Sequence, residues 1–310
     1  MPAVVKIPII QLMGLCVAAL LAGTGCSTKR FIANRMGDAL AGSSRTFASD
    51  NDPELIRDAS AFSLKLMESV LTQVPEHRPL LLAAASGFTQ YGYAFVQLSA
   101  DQTEDRDLTA ARAMRERARL LYLRARDYGL RGLDARYRGF AAALRANPHQ
   151  AVAQLRREDV PLAYWTAAAW GAAISSSKDK PEIVADLAIV EALADRALAL
   201  DEKFNAGAIH GFLIAFETAR PGLTKAEGLA RARKHFDRVV ELTAGQSASP
   251  FVSLAEQVSV ATQNRAEFQQ LLERALAINV DTRPEWRLEN VIMQRRAKWL
   301  LSKADDLFAN

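Results

Sequence analysis

Cysteine is nearly missing from this chain: its 310 residues hold two, Cys16 and Cys26. Histidine is scarce too, at His77, His149, His210 and His235. No two of these sit three or four positions apart, the spacing that offers two ligands from one helix face, so no metal site is expected. Alternating strand patterns and β-branched runs are lacking, which argues against a sheet. Charge of one sign is also lacking: 39 basic and 35 acidic residues give +4, and Lys6 is the sole charge before Cys26, which leaves +3 from there on. So small and dispersed a surplus excludes nucleic acid as a partner. Catalytic signatures are missing as well. "GLRGLDARYRG" has the wrong glycine spacing for a phosphate loop and follows a helical pattern, and there is no G-x-S-x-G elbow. Asp305 and Asp306 read as a solvated acidic turn of a terminal helix, and "RERAR" and "QRRAK" as exposed helix faces. The chain is read as a non-enzyme without a cofactor.

What is present begins with an address. "MPAVVKIPIIQLMGLCVAALLAGTGC" has one early positive charge, an apolar stretch from about Ile7 to Ala22 and then small residues, the layout of a secretory signal. A small-residue run ending at a cysteine suggests a lipobox, with Gly25 fitting the cleavage pocket and Cys26 acylated. Gly23 departs from that pattern, which usually has a large aliphatic residue there. An uncleaved anchor and ordinary signal cleavage are the alternatives, the first disfavoured by a run shorter than the roughly 20 residues of a span. Ser27, in place of Asp, matches outer-membrane sorting. Cleavage removes Cys16 and leaves no pair for a disulfide.

Residues 26–50 read as a tether with a short helix about Phe31–Leu40. The body, 51–310, opens at "DNDPELIRDASAFSLKLMESVL", where Asp52 is a cap, Pro53 a first helical residue and Glu54 an acid at the positive helix end. Apolar residues recur at Leu55, Ile56, Ala59, Phe62, Leu66 and Val70 with helical period. Short breaks between such segments suit antiparallel helices. The fold class is all-α. Taking Ala197, Val239 and Ala275 as equivalent gives spacings of 42 and 36 residues, near the 34-residue tetratricopeptide (TPR) unit. The expectation is an array of degenerate TPR-like repeats with additional helices, with small residues such as Gly211 and Ala230 at close helix approaches. An irregular helical bundle is the alternative.

"DPELIRDASAFSLKLMESVL", "RARLLYLRARDYGLRGL", "REDVPLAYWTAAAWGAAIS", "RALALDEKFNAGAIHGFLIAFETARPG", "EFQQLLERALAI" and "RLENVIMQRRAKWLLSKADDLF" together resemble the TatT family, TPR-type lipoproteins associated with TRAP (tripartite ATP-independent periplasmic) transporters. The likeness runs from about Asp50 to Phe308. It implies cryptic TPR units with extra helices, a trimer that engages the periplasmic solute-binding protein, and an apolar channel for hydrophobic small molecules such as organic acids. It implies no catalysis. A scaffold lipoprotein of the envelope that binds protein partners only is the alternative.

Two aromatic segments are cleft candidates. Phe88, Tyr91 and Phe95 share one helical face in "AAASGFTQYGYAFVQL", with Tyr93 pointing elsewhere. Tyr164, Trp165 and Trp170 stand among alanines that leave space between helices. His210 is a further candidate for an inner groove. Core packing is the competing reading for each.

Overall fold

A computed structural model describes residues 28–176 and 185–308, and every described element is helical. Helix α1 covers 28–42. It is followed by α2 (Ser44–Ala48), α3 (Pro53–Gln73), α4 (Arg78–Tyr91), α5 (Leu98–Thr103), α6 (Leu108–Asp134), α7 (Phe140–Ala146), α8 (Pro148–Ala153) and α9 (Val160–Ser175). The second part holds α10 (Leu187–Leu200), α11 (Ala208–Phe216), α12 (Lys225–Leu242), α13 (Ser249–Leu254), α14 (Arg265–Leu276), α15 (Arg287–Ser302) and α16 (Ala304–Leu307). Among the described residues no helix is long and apolar enough to cross a membrane.

The start of α3 follows its sequence. Asp52 Oδ1 accepts from the amides of Glu54 and Leu55 at 3.0 Å each, satisfying donors that the first turn leaves free. The buried face of α3 differs from the expected one. Ile56, Leu64, Met67, Val70 and Leu71 are buried, whereas Leu55 and Phe62 are 56% and 72% exposed. Two apolar stripes run along this helix, and only one meets the body.

The helices pack around three main clusters. Leu64, Met67, Leu80, Leu81 and Phe88 form the first and include Ala33 of α1. Leu133, Phe140, Leu193 and Ile209 belong to the central one, and Phe251, Phe268, Leu272 and Met293 to the third. Helices α6 and α9 lie very close together because Gly129 has no side chain. A Cβ there would come 2.1 Å from Thr166 Oγ1. Gly211, expected at a close approach, faces open space: a Cβ added there would meet nothing within 4 Å.

The chain also closes on itself. Arg287 Nη1 of α15 donates to Ser49 O at 3.0 Å, and Arg295 pairs with Glu54 at the start of α3. Lys303 pairs with Asp105 just before α6. The last long helix therefore returns to the first ones, so the array closes into a ring of helices.

Candidate functional site

Two short π-helical segments, Gly92–Gln97 between α4 and α5 and Ala255–Ser259 after α13, interrupt otherwise regular helix. The second is closed by Val260 N donating to Ala255 O at 3.2 Å, an i to i+5 bond. A π turn inserts a residue into the 3.6 period and rotates the next stretch of chain, and such turns cluster at functional sites. Here they direct Tyr93 and Glu256 into the same interior region.

Glu256 Oε1 accepts from Arg296 Nη2 at 2.6 Å and from Nε at 3.1 Å. Asp101 Oδ2 lies 3.0 Å from the same Nη2. The Arg296 guanidinium stacks 4.2 Å above the Trp299 ring. It is 8% exposed, and its Nη1 has no partner among the described residues. "QRRAK", expected as a solvated face, thus splits: Arg295 is at the surface and Arg296 inside. Burial pushes the Glu256 carboxyl above the usual range, against the pull of Arg296. Burial also opposes charge on Arg296, but Glu256 and Asp101 outweigh it and hold the guanidinium protonated. Glu256 also lines a cleft of about 350 Å³ with Thr218, Lys225, Leu229 and Gln257.

Farther in, burial raises the phenols of Tyr93 and Tyr164, and Glu289 lies within electrostatic reach of both. Burial likewise raises the Glu289 carboxyl, with a hydrogen bond from Ser249 acting the other way. These side chains nevertheless keep open surface, Glu289 most of all. Tyr164 is central to an aromatic wall, with ring centroids 5.0 Å from Trp165, 5.4 Å from Phe204 and 6.5 Å from Phe212.

The expected cleft residues divide. Tyr164 and Trp165 keep open surface beside this wall. Tyr91 and Phe95 are half-buried with centroids 5.7 Å apart, and Tyr91 Oη accepts from Arg117 Nη2 at 3.4 Å. Phe88 is a core residue, 3% exposed and stacked 5.8 Å from Tyr128. Trp170 is fully buried between Arg126 and Arg145, its Nε1 donating to Asp186 Oδ2 at 3.1 Å, so it has no surface to offer a ligand. His210 is buried as well, its Nδ1 lying 2.8 Å from Nδ1 of His235. Among the described residues no group of three or more His, Cys, Asp or Glu side chains suits a metal ion. Cys26 lies outside the described residues.

Tyr93, Glu256, Glu289 and Arg296 were not singled out by the sequence. An acid inside the apolar "FVSLAEQVSV" is a signal for Glu256, but nothing local marks Arg296.

A family model described as the TRAP transporter T-component matches residues 49–308. An uncharacterized protein of Treponema pallidum (strain Nichols) is 26% identical over 321 residues, covering 98% of this chain and 99% of that protein. The family is one of transporter components and not of enzymes. With nearly all of the helical ring inside the matched region, the chain belongs to the TRAP transporter T-component family.

Proposed function

We propose that this chain is a periplasmic lipoprotein, acylated at Cys26, that binds the solute-binding subunit of a TRAP transporter and holds a hydrophobic small molecule in its interior. The observation that carries the ligand part is the wall of Tyr164, Trp165 and Phe212 beside the desolvated, accessible Glu289 and Tyr93. Apolar walls with a few convergent polar groups are what small-molecule sites are made of. A carboxyl pushed toward its neutral form, as at Glu289, donates a hydrogen bond to an organic acid instead of repelling it.

The helix pairs act as degenerate TPR units, which stack into concave surfaces suited to a protein partner. By family likeness the assembly is a trimer, and Ser27 after the acylated cysteine directs it to the outer membrane. The solute-binding subunit meets the cleft mouth and exchanges ligand with the interior.

Native mass spectrometry of protein purified from its host tests the ligand. An apolar adduct is expected, and Trp165→Ala is expected to reduce its retention about tenfold, the equivalent of about 1.4 kcal/mol. Protein that carries no adduct and takes up no hydrophobic acid would leave the scaffold reading, a lipoprotein that binds protein partners only.

A further inference from the structure

The segment expected as a tether, 26–50, holds α1 and α2, and α1 is fixed to the body. Ala33 joins the first core cluster, and Asp38 Oδ1 lies 3.1 Å from His77 Nε2. A Cβ on Gly37 would sit 3.1 Å from the His77 ring, so α1 lies close against this residue. The described part of this helix starts at residue 28. A lipid on Cys26 is therefore two Cα steps, at most about 7 Å, from a rigid part of the fold. A body anchored so closely must rest on the bilayer with a defined face.

That face is visible on α1. Ala33 and Gly37 point inward, and the opposite arc exposes Phe31 (58%), Ile32 (58%) and Met36 (44%). Lys29 and Arg35 are exposed beside them, and no acid occurs from residue 28 to residue 37. Ile32 and Met36 also line an apolar groove of about 370 Å³ with Leu66 and Val70 of α3. Exposed Phe62 lies one turn before Leu66. Apolar side chains among cations, on a helix lying flat, suit the interface of a membrane with anionic lipid. A second copy fits poorly, because Lys29 and Arg35 would meet their own counterparts.

We propose that the outer arc of α1, Phe31, Ile32 and Met36 among Lys29 and Arg35, is a membrane-contact surface that seats in an anionic bilayer interface and sets the orientation of the body. The proposal rests on acylation at Cys26 and adds to it a second, protein-borne contact.

The test uses the acylated protein in phosphatidylethanolamine–phosphatidylglycerol vesicles containing lipids brominated near the headgroup. Once Cys26 is acylated no other thiol remains, so Met36→Cys provides a unique labelling site, and Leu120→Cys on α6 is an exposed control. The bromolipids are expected to quench a fluorophore at 36 by about twofold or more and to leave one at 120 unchanged. No quenching at 36 on protein with a confirmed acyl mass overturns the proposal while the lipoprotein reading stands. Protein without an acyl mass refutes acylation instead. Met36→Cys with Cys16 and Cys26 replaced by Ser is then labelled and added to phosphatidylglycerol vesicles containing the bromolipids, where absent quenching overturns the contact surface too. A label at 36 that is shielded without lipid, with a multimeric mass, assigns the face to a second copy and also overturns the proposal.

Discussion

Arg296 Nη2 donates to Glu256 Oε1 at 2.6 Å, and this bond joins the last long helix to the second π-helical segment inside the ring. Both groups are enclosed, so removing Arg296 takes from Glu256 the partner that compensates it, whereas Arg296 would keep Asp101. Arg296→Met is expected to cost about 3–5 kcal/mol in chemical denaturation. Adding Glu256→Gln should restore a measurable part of that loss, because the unpaired carboxylate goes with it. If the double variant is as unstable as the sum of the two single ones, the pair is not coupled as described.

Glu289 has the opposite character: no basic side chain acts on it among the described residues, and burial raises its carboxyl above the usual value of 4.5. The folded protein holds this proton at a pH where the unfolded chain has lost it, so stability is lost as pH rises above 4.5. Glu289→Gln removes that loss. Thermal melts should therefore place the variant above the parent at pH 8, with the two curves converging near pH 4. A variant that melts lower at pH 8 would contradict the desolvated position of this group.

The His210–His235 contact predicts a different pH window. Burial first, and His235 second, hold the His210 imidazole below its ordinary 6.5. Below that pH the unfolded chain takes up a proton that the folded chain refuses, so stability present above 6.5 falls as the solution is acidified. Carboxylates near 4.5 contribute only lower down. His210→Gln should flatten the stability profile between pH 6.5 and pH 5.5, as followed by urea denaturation. An unchanged slope would assign the acid sensitivity elsewhere.

Gly129 tests the close approach of α6 and α9. Gly129→Ala forces a methyl group against Thr166 Oγ1, and overpacking of this kind costs about 1–3 kcal/mol. Thr166→Ala in the same chain should recover most of the loss. No recovery would mean that the strain lies in the backbone and not in that contact.

These residues also show what was legible beforehand. The all-α class followed from a 3.6 period sustained along the chain, and the Asp52–Pro53 start of α3 was readable because capping is local chemistry. The buried stripe of α3 was not, since Leu55 and Phe62 belong to a second apolar stripe and packing against α4 and α1 decides which one turns inward. Trp165 and Trp170 lie on a helix apolar all round, where periodicity names no face. The two π-helical segments turn Tyr93 and Glu256 inward by a backbone shift that leaves no compositional trace. Arg296 looked like its exposed neighbour Arg295 because their difference is set by Glu256 and Asp101, both distant in sequence.

The proposed function requires this T-component family member to bind the solute-binding subunit of its transporter. Sedimentation velocity of the two purified proteins, mixed at concentrations up to about 100 μM, tests it most directly. A complex with micromolar affinity, about 8 kcal/mol, is the expected result. Two boundaries that remain independent at every concentration, with and without hydrophobic ligand, would contradict the account.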